Sequence, residues 1–347
     1  MVRHDRNGFP FRFERRRVGS YSFYTIVAIF VLFVGLRSSF NDTYAYIKGY
    51  KLVKPGWEGV SKLSWALGDN PGFHLANSLL KTYVIENAQG MLIIYALIPF
   101  VLFFKFYRRW SEKLWLTIFL FSASGMLLFS MAAMKQVLAM AIGLYGVNCF
   151  LRNHKLGFVV FVLLGSTFHP YLLLFLGAFF LDDRVWSRKV MIVLGSTILG
   201  GLFIQQFVQL AYTATNVLGE DYAKTGLLSG RGVNVFRFLV YSVTPTLTWI
   251  YRKKINASCD KALILFANFT LIGWCFMIIA RFIGANMFAR MAMYFDPFMH
   301  LTLTALLIHY IPRKNQSLVL LGCVFGYLFY LLFELYNRGF VYCWILG

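Results

Sequence analysis

Residues 21–46 read YSFYTIVAIFVLFVGLRSSFNDTYAY and contain both an apolar run and the polar stretch that leaves it. The apolar run, residues 21–36, predicts a first membrane-spanning helix. Several Arg residues precede it within residues 1–20, so the positive-inside rule places that segment in the cytoplasm as a basic arm and Arg37 outside. The helix therefore presents a polar and aromatic stretch at the outer face of a membrane.

Composition excludes a water-soluble globule. Hydrophobic residues make up 59% of the chain, charged residues only 14%, and the mean hydropathy is +0.63. A chain this apolar is typical of an integral membrane protein. The net charge of +20 would suggest nucleic acid in a soluble protein. Here the basic residues fall mainly in short loops between apolar windows, where they determine the membrane topology. We therefore expect no nucleic-acid partner.

Apolar windows recur along the whole chain, and about eleven of them approach the length of a membrane span. Two, residues 156–168 and 171–181, are short and separated by His169 and Pro170, which predicts a re-entrant or thinned pair. The predicted fold is a single all-α polytopic membrane domain over residues 1–347. The other windows are residues 21–36, 88–106, 114–131, 132–151, 190–212, 235–251, 262–280, 291–311 and 318–336.

Two polar intervals are assigned to the outer side. Residues 38–87 form the first extracytoplasmic loop and residues 213–234 the second. In the first loop apolar residues such as Trp57, Val60 and Leu63 recur at helical spacing. This pattern predicts amphipathic helices that lie on the membrane surface.

Two carboxylates in the first outer loop are candidates for catalysis. Asp42 lies a few residues beyond the first span, where it could take the proton from a sugar hydroxyl as a general base. The alternative is that Asp42 only caps an interfacial helix. Glu58 has the same two interpretations, as a second carboxylate or hydroxyl acceptor, or as the start of a helix.

Four cations on the outer side lie against helix ends, where they do not help to orient the protein in the membrane. They are Arg37, Lys135, Arg281 and Arg290. Guanidinium groups suit bidentate contact with phosphate oxygens. Structural pairing with acidic residues is the competing explanation for Arg281 and Arg290. Lys135 lies at the outer end of a hairpin of two apolar helices and is either functional or simply extends to the interface.

Several polar and aromatic residues near the outer face are further candidates for substrate binding. Gln205 and Gln209 share one helix face and are candidates for hydroxyl recognition. His169 is a candidate for binding a phosphate or hydroxyl, and the alternative is that it is a satisfied polar group at a helix end. Tyr44 and Tyr222 are candidates for stacking on sugars, although interfacial Tyr residues also form ordinary aromatic belts.

Asp296 and His300 are four residues apart and share a helix face. This spacing suits either a proton relay or a local pair that stabilises a kink at Pro297. The local pair is the simpler interpretation.

The order of these motifs resembles the EpsG family of exopolysaccharide polymerases, which are Wzy-like proteins. The resemblance covers most of the chain as a pattern, and no single motif carries it. The motifs are Leu36-Arg37, Asn41-Asp42-Thr43-Tyr44 with Tyr46, Pro55-Gly56-Trp57-Glu58, Lys135-Gln136 with Leu138-Ala139, Thr167-Phe168-His169-Pro170, and Arg290-Met291-Ala292-Met293-Tyr294-Phe295.

The resemblance implies a multi-pass glycosyltransferase of the bacterial cytoplasmic membrane, related to lipid-dependent GT-C enzymes, with an extracytoplasmic active site. It implies transfer of a growing glycan from undecaprenyl diphosphate to the terminal sugar of a lipid-linked repeat unit. By position, Asp42, Glu58 and His169 become catalytic candidates. Lys135 stands where the family usually has Arg, which keeps the charge but loses the bidentate fork.

The expected partners are the lipid-linked donor and acceptor, membrane lipids, and chain-length regulator and flippase proteins. No cofactor and no metal are expected. Two alternatives stay open from the residues. One is another polyprenyl-linked-sugar transferase or ligase, and the other is a lipid-linked oligosaccharide transporter or flippase, which should show repeats and a polar midplane.

Overall fold

The computed structural model describes residues 19–203, 232–283, 286–338 and 343–344. Helices dominate these residues, in agreement with the predicted all-α class. The described residues divide into two compact units. The first unit comprises residues 19–177, 331–338 and 343–344, and the second comprises residues 178–203, 232–283 and 286–330.

The helices follow the apolar windows closely in most of the chain. Two short strands are β1 (Arg37–Ser39) and β2 (Cys343–Trp344). A 3-10 segment spans Pro170–Phe180, and a π-helical turn spans Leu306–Tyr310. The α-helices are α1 (Ser20–Gly35), α2 (Thr43–Leu52), α3 (Gly56–Ser61), α4 (Pro71–Tyr83), α5 (Ala88–Trp110), α6 (Leu114–Ala123), α7 (Met126–Ala132), α8 (Met134–Leu151), α9 (Lys155–Ser166), α10 (Arg188–Leu202), α11 (Val235–Ser258), α12 (Lys261–Ile283), α13 (Asn286–Met293), α14 (Asp296–Ala305) and α15 (Arg313–Arg338).

Several of these helices are long and apolar enough to cross a membrane. Among the described residues there are four, which are α5, α8, α12 and α15, or up to six if each of two bent pairs counts as one span. Helix α1, helix α9 and the Pro170–Phe180 segment are apolar but shorter. The protein is therefore a helical membrane protein, and the count of about eleven spans stays a prediction.

Two sequence windows are broken rather than straight. Window 114–131 consists of α6 and α7, which meet at an angle of 57°. Gly125 lies at this break with a φ of +92°, a conformation that L side chains rarely adopt. Window 291–311 contains the end of α13 and the helix that begins at Asp296, and these two helices meet with a bend of 53°. Pro297 stands at the first turn of that helix, where its missing amide hydrogen costs nothing.

In the first unit α5 packs against α1 and α8, and α8 packs against α9. The strands β1 and β2 pair antiparallel, and Ser38 Oγ donates a 3.1 Å hydrogen bond to the carbonyl of Cys343. In the second unit α12 is almost wholly buried and packs against α10, α11, α13 and α14. The first loop of the sequence prediction carries α2, α3 and α4, and their position on a membrane surface stays a prediction.

Candidate functional site

The turn from α1 to α2 is built around a buried arginine. Arg37 is fully buried and donates from Nη1 to the carbonyl of Val34 at 2.6 Å and from Nε to Thr43 Oγ1 at 2.9 Å. Thr43 Oγ1 in turn donates to the carbonyl of Phe40 at 2.6 Å. Bonds to charged donors are stronger than neutral ones, so this network holds the turn firmly. The guanidinium predicted to bind phosphate is therefore the anchor of the turn in this structure.

Asp42 is presented by this turn. It is exposed and precedes α2 directly, at the position of an N-cap, yet its side chain makes no capping hydrogen bond. It forms no salt bridge within the described parts of the chain either. The preceding residue, Asn41, has a φ of +45°, which asparagine tolerates better than most residues. Helix capping therefore does not explain Asp42. Tyr44, two residues further on, is also exposed.

Tyr46 connects the Asp42 turn with the beginning of α8. The backbone amides of Lys135 and Met134 lie close enough to its hydroxyl to lower its pKa. Burial, and after it the charge of Asp42, raise the pKa of Tyr46 to about 12, while the two amides and Arg37 act in the opposite direction. The phenol is therefore neutral at physiological pH and remains a hydrogen-bond donor beside Asp42.

Lys135 lies in the first turn of α8 and faces α4. Its Nζ atom is 5.1 Å from the ring centroid of Phe73, a distance typical of a cation–π interaction. The ammonium group of Lys135 also acts electrostatically on His74, the residue after Phe73. Partial burial and then Lys135 lower the pKa of His74, while Asp69 raises it. Asp42, Tyr46, His74 and Lys135 therefore form one cluster of polar side chains.

The His169 loop adjoins α4. The amide of Gly72 donates a 2.9 Å hydrogen bond to the carbonyl of Thr167. A Cβ atom at Gly72 would collide with the Thr167 side chain, so only glycine allows this approach. His169 packs edge-on against Tyr171, with ring centroids 4.9 Å apart. The predicted polar tip between the two short segments thus lies against the helix that carries His74.

A hydrophobic core cluster fixes these elements to one another. Its members come from α2, α4, α5 and α8, and Tyr46 and Phe168 pack against it. Close packing of large side chains gains dispersion energy, so such a cluster holds the four helices together. The buried members are Tyr50, Phe73, Ala88, Met91, Leu92, Tyr95, Met134 and Leu138.

Glu58 forms ion pairs at the surface of the protein. Its carboxylate bonds to Lys54 and, at 3.1 Å, to Lys62, and all three side chains are exposed. The hydrogen bond from Lys54, with a further one from Lys62, lowers the pKa of Glu58. A carboxylate with a lowered pKa is a weak proton acceptor. The surrounding loop is held by Lys81, whose ammonium donates to the carbonyls of Val53 at 2.7 Å and Lys51 at 2.8 Å.

The remaining predicted residues belong to the second unit or lie outside the described residues. Arg281 is half-buried in the last turn of α12, and Arg290 is exposed in the last turn of α13. Gln205, Gln209 and Tyr222 lie outside the described residues.

Asp296 is buried in the second unit and accepts a 2.7 Å hydrogen bond from Tyr241 Oη. The local pair expected between Asp296 and His300 is therefore not the bond that holds Asp296. A tyrosine on α11 takes that role.

The sequence matches the profile of the EpsG family over residues 20–345, which is nearly the whole chain. The chain belongs to the EpsG family. Membership indicates an exopolysaccharide-related polymerase and is consistent with a glycosyltransferase. No curated protein and no solved structure gives a significant match.

In this EpsG family member the described residues contain no group of three or more His, Cys, Asp or Glu side chains that could hold a metal ion. Sequence reasoning named Tyr46 only as part of a motif and missed His74. A histidine directly after a core phenylalanine on an amphipathic helix was the available signal, but it did not reveal that Lys135 would lie nearby.

Proposed function

We propose that the protein is a polysaccharide polymerase of the bacterial cytoplasmic membrane. It transfers a growing glycan from a polyprenyl diphosphate to the terminal sugar of a lipid-linked repeat unit at the outer face. The observation that carries this proposal is Asp42, an exposed carboxylate without a capping or ion-pairing role, next to the neutral phenol of Tyr46 and the amides that begin α8. Membership in the EpsG family supports the reaction class.

The transfer forms a bond between the acceptor hydroxyl oxygen and the anomeric carbon of the donor sugar. The bond between that carbon and the diphosphate oxygen breaks. Asp42 takes the proton of the acceptor hydroxyl, which general-base catalysis makes about 10²- to 10⁴-fold faster. Tyr46 donates a hydrogen bond that orients either the carboxylate or the acceptor sugar.

The leaving diphosphate carries the charge that develops in the reaction. We assign Lys135 to its stabilisation, which is the electrostatic contribution that dominates many enzymes. An ammonium at Lys135 binds phosphate as a point charge without the bidentate geometry of arginine. His169 and Tyr44 are assigned to sugar contacts. Glu58, the second carboxylate candidate, is kept ionised by its lysine partners and is assigned no step.

The test compares Asp42→Asn with Glu86→Gln in cells that depend on this protein. Glu86 is an exposed carboxylate of the same loop and serves as the matched control. We expect Asp42→Asn to abolish long polymer at an unchanged protein level and Glu86→Gln to leave polymer length normal. Normal polymer in Asp42→Asn would remove Asp42 from the mechanism.

A second test separates the polymerase from its rivals. Purified protein in liposomes is given lipid-linked repeat units and no ion gradient. A polymerase produces a ladder of lengthened products on the lipid carrier. A single transfer without a ladder would indicate a ligase or single-sugar transferase, and movement of unchanged repeats across the bilayer would indicate a flippase.

A further inference from the structure

The segment 181–187 of the second unit is a firmly held loop. Asn256 bridges it by accepting from the amide of Val185 at 2.9 Å and donating to the carbonyl of the same residue at 3.2 Å. Asn268 donates to the carbonyls of Asp182 at 3.1 Å and Arg184 at 3.3 Å. Trp186 in this loop has a φ of +56°. A loop with so many side-chain bonds to its backbone is pre-organised.

The loop borders an open cleft of about 570 Å³. One wall comes from the loop and the beginning of α10, and the other comes from the last turns of α11.

The cleft is a site of unbalanced positive charge. Arg184, Arg188, Arg252 and Lys253 line it, and none of them forms a salt bridge with a carboxylate in the described residues. Asp182 directs its carboxylate at its own loop, where Oδ1 accepts from the amide of Asp183 at 2.9 Å. The positive end of the α10 dipole adds to the field. Four cations against two carboxylates leave the cleft attractive to an anion.

Trp186, which lines the cleft, packs against two further tryptophans. Trp186 Nε1 donates to Thr248 at 3.1 Å, and its ring packs edge-on against Trp249 and Trp274, with centroids 5.0 Å and 6.3 Å away. The Arg252 guanidinium lies 3.9 Å from the ring centroid of Trp249. Such clusters of Trp with basic residues are typical of the headgroup region of a bilayer.

We propose that this cleft binds the phosphate headgroup of an anionic phospholipid. Arginine guanidinium groups bind phosphate through bidentate hydrogen bonds. The exposed Met191 and Ile192 of α10 offer an apolar surface for the acyl chains. The apolar surface beside the cleft favours a lipid over a soluble phosphate ester. The competing explanation is that these cations only set topology, as the positive-inside rule requires of any such loop.

The experiment measures lipid retention by the full-length protein in detergent micelles, using native mass spectrometry. The probes are phosphatidylglycerol and the zwitterionic phosphatidylcholine. The cleft variant is Arg252→Gln with Lys253→Gln. The control is Arg313→Gln with Lys314→Gln, an exposed basic pair of the same unit outside the cleft.

We expect the wild type and the control to retain phosphatidylglycerol in preference to phosphatidylcholine. Loss of two cations should weaken retention in the cleft variant roughly 10- to 30-fold. Equal loss in both double variants would overturn the proposal in favour of general surface charge. Displacement by millimolar inorganic phosphate, without preference between the two lipids, would overturn it in favour of a soluble ligand.

A misfolded double variant would be recognised by its size-exclusion profile. In that case Lys253→Gln alone, an exposed position, gives the same comparison with a smaller expected loss. The lipid preference of the wild type is measured without any substitution, and its absence would overturn the proposal by itself. Neither readout depends on polymerase activity, so failure of the lipid proposal leaves the proposed function untouched.

Discussion

The Nε atom of Arg37 donates a 2.9 Å hydrogen bond to Oγ1 of Thr43, and both side chains are completely buried. A second bond from the same guanidinium, to the carbonyl of Val34, ties the turn to the end of α1. Asp42 directly precedes Thr43 and is exposed. The buried pair therefore sets the position of the carboxylate that we assign as the base.

Thr43→Val keeps the shape of the side chain but removes the oxygen that bonds to Arg37. A buried charged donor left without this partner should destabilise the turn by about 1–3 kcal/mol. We expect a lower unfolding temperature in detergent and shorter polymer, because Asp42 loses its fixed position. Thr25→Val on the exposed part of α1 is the control, since among the described residues its hydroxyl bonds only to the carbonyl of Tyr21. Unchanged polymer in Thr43→Val would separate the turn from catalysis.

Lys135 should depend on its charge more than on its shape. Lys135→Arg keeps the cation beside Phe73 and adds the fork that suits a diphosphate, so we expect normal or longer polymer. Lys135→Met keeps the packing but removes the charge, and we expect polymerisation to fall at least about 100-fold, as for other losses of electrostatic stabilisation. The measurement is the initial rate of chain lengthening in liposomes. Equal rates in the two variants would exclude an electrostatic role.

Glu58→Gln tests whether the second carboxylate takes part. The lysine pairs around Glu58 lie at the surface and contribute little to stability. Its lowered pKa makes Glu58 a poor base, so we expect polymer length close to that of the wild type. Gel electrophoresis of extracted polymer measures this. Loss of polymer as severe as in Asp42→Asn would instead place Glu58 in the mechanism.

His74 predicts a pH dependence of stability. Because partial burial and Lys135 lower its pKa in the folded protein, the unfolded chain binds the proton more readily. The contribution of neutral His74 is therefore present above the ordinary histidine pKa of about 6.5 and is lost as the pH falls through the folded value. We expect the unfolding temperature to drop from pH 8 to pH 5, and to drop less in His74→Gln. Identical drops would show that His74 is not the responsible group.

Much of the helical organisation follows directly from the sequence. Window 21–36 becomes α1 and window 88–106 lies within α5, because long apolar runs in these positions favour helices whatever they pack against. The break at Gly125 is harder to predict. A glycine is common inside apolar helices, and only its left-handed conformation shows that the chain bends there.

The candidate site was predictable only in part. Asp42 is identifiable from its place after the first span and from its motif. That Arg37 is buried could not be predicted, because the position after a span favours an exposed cation and only the distant packing of the turn reverses this. The contact of Tyr46 with the amides of Met134 and Lys135 joins parts of the chain far apart in sequence, and no local pattern signals it.

Tyr241→Phe tests the buried hydrogen bond to Asp296 in the second unit. The other carboxylate oxygen, Oδ1, has no hydrogen-bond partner in the part of the chain that the structure describes, so removal of the tyrosine hydroxyl leaves the group unsatisfied. We expect a loss of about 1–3 kcal/mol in unfolding free energy, seen as a lower thermal midpoint. The exposed Tyr336→Phe is the control. The neutral amide in Asp296→Asn loses less free energy than the carboxyl group when the tyrosine hydroxyl is removed. Adding Tyr241→Phe to Asp296→Asn should therefore lower the unfolding free energy by less than adding it to the wild type. Strictly additive effects would show that the two side chains are not coupled, and the bond would then not be what holds α11 against the start of α14.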